Sequence, residues 1–598
     1  MDISIGKLRW LRLSAVLATV GLVAAACGGT ANNGPSAPTG TKGGTLLMLG
    51  SSDVDALDTA TAYYTGDYIF ERAYSRQLVS YPTSSDANKA VSLEADAATQ
   101  LPTQSNGGIS SDGLTYTFKI KSGIKWNTTP ARQVTAADFV LGFKRLCNPV
   151  NPVGAPGYFE DTIAGFKDYF EPMLALKDQS AAGIANYINT TQISGITTSG
   201  NDTIKIKLNK VASDFLYIIA LPFSSAAPQE YLQYVPGSNT FNQHVISDGP
   251  YTIAKYDPGK EIDLDRNPAW DSSTDSLRAA YVDHVKLTEG FDASAIQQQI
   301  SAGTADMQFD TPVPTADVGQ LLQSKDSRLV VGPPQSINPY IVFNFQSPNN
   351  GGAVGQNLKL RQAIEYAIDK VAIAQFYGGL SINKPAHQAL WQGNAGYQAI
   401  NPYSTPNDQG DMAKAKSMLA DAGFPNGLKL KMVYRTSGNH PKNAQSYQAD
   451  LAKIGITVTL TPVPGSQYYT KYLENVDASK SGVWDIADPG WIPDWFGNNG
   501  RAIIEPLFDG RAYGPGSTNY GDYNNDSVNS DIDNALAAKS QSDANKYWHM
   551  ADQQIMADAA IVPVLNQQTA IFHSSRLQNA IYFPFSQEFD ITNVWLKG

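Results

Sequence analysis

The stretch "DMAKAKSMLADAGFPNGLKLKMVY", residues 411–434, predicts a helix, a glycine stop and then a strand. The stretch "AQSYQADLAKIGITVTLTPV", residues 444–463, repeats the same order of helix and strand. Two such units in succession are typical of a sheet covered by helices. These residues therefore predict an α/β fold.

Patterns of the same kind lie elsewhere along the chain. Apolar and polar residues alternate over 114–126, which predicts a strand, and residues 249–270 predict a hairpin. A helix is expected to start after Thr135 as its N-cap, and another to end at Gly303. Residues 357–379 place apolar side chains on one helical stripe.

Length and charge limit the class of protein. A chain of 598 residues exceeds what one hydrophobic core usually serves, so two or more domains are expected. With 55 acidic and 44 basic residues the net charge is -11, and no basic cluster is present, so nucleic acid is not an expected partner. Of two cysteines, Cys27 ends the leader and Cys147 is expected to be a packed apolar residue.

The first 27 residues predict export. Three basic residues precede the apolar run Leu13–Ala26, which is too short to span a bilayer but suits a secretory signal. Small residues then lead to Cys27, as in a bacterial lipobox, although Ala24 stands where leucine is commonest. Residues 27–42 are rich in Gly, Ser, Pro and Asn, as expected of a flexible tether. The alternative is an ordinary signal peptide in which Cys27 is incidental.

Motifs for metals, cofactors or catalysis are weak or missing. Residues 522–533, "DYNNDSVNSDID", imitate a calcium loop, but Ser527 replaces the required glycine and Asp533 the final glutamate. A polar turn before a helix is the preferred interpretation. The six histidines show no metal-ligand spacing, and no nucleophile elbow or phosphate-binding loop occurs. The sequence therefore predicts no metal, no cofactor and no catalytic residue.

Residues 490–495, "GWIPDW", place Asp494 between Trp491 and Trp495 in a loop. A carboxylate flanked by apolar rings is costly unless a cation meets it. Ten stretches, taken in order, resemble the extracytoplasmic solute-binding proteins of peptide-type ABC importers, the family 5 cluster that includes dipeptide, oligopeptide and nickel binders. They are the lipobox, "DGLTYTFKIKSGIKW", "VTAADFVLGFKR", "GPYTIAKYDPGKEIDLDRNPAW", "ISAGTADM", "LRQAIEYAIDK", "KAKSMLADAGFP", "LAKIGITVTL", "GWIPDW" and "DAAIVPVL".

The resemblance implies a two-lobed periplasmic-binding-protein-like fold of type II, with an extra subdomain and a ligand cleft between the lobes. Two chain crossings are expected, near Asp310 and near Leu565. The implied boundaries are a signal peptide at 1–26, a tether at 27–42, lobe I at 43–78, 213–310 and 566–598, an inserted subdomain at 79–212, and lobe II at 311–565. Ligand is expected to hinge the lobes shut because it touches both of them.

The resemblance also implies a role for Asp494. In peptide-binding members an aspartate three residues after a Gly-Trp pair accepts the ligand's α-ammonium, and Trp491 and Trp495 would then wall the cleft. The alternative is that Asp494 caps a turn and both tryptophans lie in the core. Oligopeptide binders often carry an arginine where this chain has Asp488, so the ligand is longer, is cationic, or is anchored elsewhere at its far end.

Weaker cleft candidates are Tyr64 and Thr65, in "ATAYYTGDY", and Tyr340, in "NPYIVFNF"; surface exposure and core packing are the respective alternatives. The resemblance thus predicts a monomeric receptor outside the cytoplasm. It would be anchored to the bacterial cell membrane only by lipid on Cys27, and would pass oligopeptides to the permease subunits of an ABC importer. The alternatives are a receptor for a nickel chelate, a sugar or another cation, and a tethered secreted hydrolase.

Overall fold

The computed structural model describes residues 40–150, 156–514 and 517–598. The predicted signal peptide, Cys27 and all of the tether before residue 40 lie outside the described residues. Among the described helices, none is both long and apolar enough to cross a membrane.

The first sheet is mixed. Its central strand pairs in parallel with two neighbours, and the predicted hairpin closes one edge. The hairpin turns at Gly259, which has a φ of +71°. In sheet order the strands are Met307–Phe309, Thr45–Gly50, His284–Thr288, Glu261–Arg266 and Tyr251–Asp257.

The second sheet contains both strands predicted from 411–463. These two strands run parallel over eight residues, and helix His440–Lys453 connects them. In sheet order the strands are Ile456–Val463, Leu428–Arg435, Ile486–Ala487, Tyr340–Phe343 and Ile561–Pro563. The predicted succession of helix and strand in this region is therefore confirmed.

A third sheet, of three strands, belongs to the region between residues 79 and 212. It contains Thr115–Lys119, Thr203–Lys207 and Ile196–Ser199. Helix Ala136–Leu146 packs nearby, and its start is fixed as predicted, because the Thr135 N–H donates a hydrogen bond of 2.8 Å to Asp138.

Other described helices cover these sheets. Those of eight or more residues are Phe166–Leu174, Ala181–Thr190, Ala293–Ala302, Thr315–Ser324, Leu358–Ala367, Met412–Asp421, Arg501–Phe508, Asp526–Leu536 and Gln541–Ala557. The stripe over 357–379 is split into two helices, because Ile368 is extended and the Asp369 carboxylate caps a new helix, Lys370–Phe376. Asn525 caps helix Asp526–Leu536, so the calcium-like stretch is a polar turn before a helix.

The chain passes between the first and second sheets twice, through residues 310–339 and 564–572. The two passages pair with each other as short antiparallel strands, Leu329–Val331 with Ala570–Phe572 and Ser336–Ile337 with Leu565–Gln567. Asp310 and Leu565 lie at these passages. The domain boundaries themselves stay a prediction.

Separate apolar clusters underlie the three sheets. The cluster of the inserted region also takes in Trp495 and Phe496, which come from a much later part of the chain. Cys147 is buried in this cluster, and burial raises the pKa of its thiol, so the prediction of a packed residue is confirmed.

Buried ion pairs connect the inserted region to the first sheet. The Asp96 carboxylate accepts hydrogen bonds of 2.8 Å from Arg76 and 2.8 Å from Arg278, and all three side chains are fully buried. Burial alone would raise the pKa of Asp96, but the two guanidinium groups lower it overall. Asp96 is therefore ionised in the folded protein.

We expect Asp96→Asn to lower the free energy of unfolding by about 3–5 kcal/mol, because two buried guanidinium groups lose the carboxylate they share and keep only Asp275. The measurement is the midpoint of urea unfolding at pH 7. Since the pKa of Asp96 is lowered on folding, its contribution is present above pH ~4 and disappears as the pH falls, so the difference between the proteins narrows in acid.

The matched control is Asp202→Asn, since Asp202 forms an exposed ion pair of 3.6 Å with Lys119 and should have little effect. Equal losses in the two variants would contradict a special role for the Asp96 network.

Candidate functional site

The loop that carries Asp494 is fixed against the first passage. Trp491 exchanges two backbone hydrogen bonds with Ile337, at 2.9 and 3.1 Å. Gly490 allows this close approach, because a Cβ atom there would lie 2.4 Å from the Asn338 side chain. The loop is thereby set at the edge of a cavity of about 370 Å³.

Asp494 lines this cavity, where its carboxylate meets two phenols. The Tyr63 hydroxyl donates a hydrogen bond of 2.8 Å to one oxygen, and the Tyr158 hydroxyl donates one of 2.5 Å to the other. Among the described residues no cation lies within ion-pair distance of Asp494. The sequence had not singled out either tyrosine.

Burial raises the pKa of Asp494, and the hydrogen bonds from Tyr158 and Tyr63 offset part of that rise. The two phenols are neutral, so they orient the carboxyl group without supplying a counter-charge. A carboxylate has about four acceptor positions, so Asp494 can still accept hydrogen bonds from a ligand.

Seven of the fifteen described residues that line the cavity are aromatic. Trp491 is fixed by a hydrogen bond of 2.8 Å from its indole N–H to the Ala502 carbonyl. Tyr64 has 64% of its surface exposed, and Thr65 follows it in the same wall. The aromatic lining residues are Tyr63, Tyr64, Tyr68, Tyr469, Trp491, Tyr520 and Phe585. The structure thus brings Asp494, Trp491, Tyr64 and Thr65 together, and their contact with a ligand stays a prediction.

Two of the predicted residues do not line this cavity. Trp495 is 0% exposed and packs edge-on against Tyr158, with ring centroids 4.8 Å apart, so it supports the phenol from behind. Tyr340 is 1% exposed and belongs to the core under the second sheet. The sequence analysis expected both residues to line the cleft. The structure instead packs their rings into apolar clusters.

Asp488 does not line the cavity either. It is 0% exposed and accepts hydrogen bonds of 2.8 Å from His440 and 3.3 Å from Asn443. Burial raises the pKa of Asp488, and these partners lower it in part. Asp488 is therefore not placed to contact a ligand in this cavity directly.

Arg435 supplies the positive charge that the sequence analysis missed. It ends strand Leu428–Arg435 and lines the cavity, with its guanidinium 5.5 Å from the Tyr468 ring centroid and 5.3 Å from that of Tyr469. Among the described residues it forms no ion pair or hydrogen bond through the guanidinium. A cation at the carboxyl end of a predicted parallel strand was the available signal, since ligands bind there in α/β sheets.

A larger and more open groove, of about 980 Å³, lies beside helix Ala136–Leu146. It shares no lining residue with the cavity around Asp494. Of its four charged lining residues, Arg132 pairs with Asp138 and Glu230, and Lys144 donates a hydrogen bond of 2.8 Å to the Ile188 carbonyl. The smaller cavity is the better candidate, because its charged groups form no ion pair in the described part of the chain.

Residues 97–509 match the family model of the bacterial extracellular solute-binding proteins, family 5, middle region. The chain belongs to this family, so the resemblance inferred from sequence is confirmed. Its general role is that of the extracytoplasmic substrate-binding component of a peptide-type ABC importer.

Individual relatives and a solved structure are consistent with this family assignment. The chain is 26% identical to heme-binding protein A of Haemophilus influenzae over 499 residues, which cover 80% of this chain and 81% of the relative. It is 25% identical to the dipeptide-binding protein of Escherichia coli over 402 residues, covering 64% and 66%. The solved structure of clavulanic acid biosynthesis oligopeptide binding protein 2 matches with a TM-score of 0.81 at 23% identity, covering 93% of this chain and 96% of that one. The predicted two-lobed fold of type II is thereby confirmed.

We expect Tyr63→Phe and Tyr158→Phe each to raise the pKa of Asp494 further, because each removes a hydrogen bond to the ionised carboxylate. The measurement is a pH titration of the aspartate carboxyl carbons by NMR, with the Asp494 resonance assigned by its loss in Asp494→Asn. Tyr520→Phe is the control, since Tyr520 lines the same cavity without bonding to Asp494. An unchanged pKa in both phenylalanine variants would contradict this account.

Proposed function

We propose that this protein captures oligopeptides in the cavity around Asp494, closes over them by a hinge motion, and delivers them to the permease of an ABC importer. The observation that carries the proposal is the pair of charged groups, Asp494 and Arg435, that line one cavity and form no ion pair with any described residue. A peptide with free ends presents an ammonium and a carboxylate, which are the complementary charges.

The two charges suit the two ends of a peptide differently. An ammonium has three donors, which suit the remaining acceptor positions of Asp494. The planar guanidinium of Arg435 can bind a carboxylate through two parallel hydrogen bonds. Arg435 would then take the place of the arginine that oligopeptide binders often carry at the position of Asp488.

Hinge closure is supported by the origin of the lining residues, which come from segments next to both sheets. Tyr63, Tyr64 and Thr65 follow the first strand of the first sheet, whereas Arg435 and Trp491 belong to the second sheet and its loops. A ligand that contacts both groups stabilises the closed arrangement, because only that arrangement provides all of its contacts. The closed form is the one expected to dock on the permease.

A lipid on Cys27 would anchor this receptor, as a monomer, to the outer face of the cell membrane. The support is the lipobox-like sequence before Cys27 and the polar tether that follows it. Firm anchoring takes more than one acyl chain, since a single chain holds weakly.

A receptor is favoured over a hydrolase. The described residues that line the cavity include no serine, cysteine or histidine. The relatives are named for binding heme, dipeptides or oligopeptides. A peptide is favoured over a nickel chelate or another simple cation, because the cavity carries Arg435 as well as acidic groups.

We expect Asp494→Asn to weaken binding of peptides with a free N-terminus about 10- to 100-fold, as lost hydrogen bonds to charged groups contribute about 1.5–3 kcal/mol. Calorimetry on unblocked peptides and on the same peptides with acetylated N-termini measures this. The acetylated peptides should bind both proteins equally weakly. Equal affinity of the variant and the wild type for the free amine would reject the assignment.

We expect Arg435→Met to weaken binding of the peptide's C-terminal carboxylate. Peptides with a free carboxylate should lose affinity about 10- to 100-fold, and C-terminally amidated peptides should lose little. An equal loss of affinity for both kinds of peptide would contradict a carboxylate contact.

Thermal stabilisation of the wild type by peptide, without release of hydrolysed products, separates a receptor from an enzyme.

A further inference from the structure

Asp310 is a second carboxylate in the cavity. It directly follows strand Met307–Phe309, at the start of the first passage, and its φ is +43°. A non-glycine residue with positive φ is uncommon, so the surrounding structure holds this side chain in a set direction. Asp310 is solvent-accessible and lines the cavity beside Gly66, where a Cβ atom would lie 3.4 Å from the Asp310 carboxyl carbon.

The Asp310 carboxylate has no partner among the described residues. Its backbone N–H donates a hydrogen bond of 2.9 Å to Glu588, but its carboxylate oxygens form neither a hydrogen bond nor an ion pair there. Glu588 is another buried acid, and burial, followed by the charge of Asp310, raises the pKa of Glu588. The neighbouring group therefore fixes the backbone of Asp310 without neutralising its side chain.

The charged groups that line the cavity are Asp310, Asp494 and Arg435. Together they leave one negative charge in excess. A peptide with neutral side chains carries one ammonium and one carboxylate, which match Asp494 and Arg435 and leave Asp310 unpaired. A peptide with one lysine or arginine side chain matches all three groups.

We propose that the cavity selects peptides that carry a basic side chain, and that Asp310 is the residue that contacts the side chain's ammonium or guanidinium group. The proposal rests on the proposed function, since it assigns the ligand class of the same site. Leaving a carboxylate unpaired in a cavity penalises a neutral peptide, so Asp310 discriminates against the wrong ligand as well as binding the right one.

The preference should depend on pH. Burial raises the pKa of Asp310 to about 6, so the carboxylate is charged at pH 7.5 and increasingly neutral below pH 6. The ionisable groups around it are Glu588 behind it and Tyr68, Asp494 and Arg435 in the cavity wall. Asp494 affects all free peptides alike, so the affinity ratio of basic to neutral peptides isolates Asp310.

The test is calorimetry with unblocked alanine peptides of two to five residues, each containing either one lysine or one norleucine. At pH 7.5 the wild type should bind the lysine peptide about 10-fold or more tightly, as expected for one charge-assisted hydrogen bond. Asp310→Asn should bring this ratio close to one without weakening the norleucine peptide. Asparagine tolerates positive φ, so the backbone is expected to keep its conformation.

The matched control is Asp477→Asn, which removes an exposed negative charge outside the cavity and should keep the ratio. At pH 5 the wild-type ratio should fall. A wild type that binds both peptides equally, or an Asp310→Asn variant that keeps the lysine preference, would overturn this inference alone. Failure of every unblocked peptide to bind would overturn the proposed function with it.

Discussion

The structure of the candidate site depends on one partly buried carboxylate that is held by neutral hydrogen-bond donors and not by a cation of the described residues. The phenols of Tyr63 and Tyr158 each donate a hydrogen bond to Asp494, which orients it and lowers the cost of its burial. Neutral donors do not cancel its charge, so the attraction for a cation remains. An arginine of the protein in place of the two phenols would pair with Asp494 and leave no charge for a ligand's cation to meet.

Two other buried carboxylates, Asp58 and Asp590, are each paired with an arginine. Asp58 is paired with Arg145 at 2.6 Å, and Asp590 with Arg72 at 2.9 Å. Burial works against ionisation of Asp590, but Arg72 and nearby hydroxyl and amide donors lower its pKa to about 2. Paired carboxylates fix the fold, whereas the unpaired carboxylates of the cavity are available to a ligand. The difference lies in their partners and not in residue type.

The site also depends on contacts between distant parts of the chain. Tyr63 and Asp494 are 431 residues apart, and Tyr158 and Asp494 are 336 apart. Arg501, on the helix after the Asp494 loop, donates a hydrogen bond of 3.0 Å to Thr162 and is buried against the inserted region. These contacts place the loop of the second sheet against residues from the first part of the chain.

Local sequence determined much of this protein. The strand and helix periods, the N-cap at Thr135 and the stop at Gly303 predicted the elements correctly, because each depends on neighbours within a few residues. The order of the motifs indicated the family and the two-lobed fold, and "GWIPDW" indicated Asp494. The break at Ile368 was missed, because the apolar stripe continues through it and only the Asp369 cap interrupts the helix.

Tertiary structure alone decided which groups share the cavity. Arg435 gives only the general signal of a cation at the end of a predicted strand, and an aspartate after a strand, such as Asp310, is an ordinary feature. Trp495 and Tyr340 are aromatic, as residues that line a ligand cleft often are, yet both are buried in the core. Periodicity reports whether a side chain faces the core or the solvent, but not which distant side chains meet it, since that depends on how the separate sheets pack.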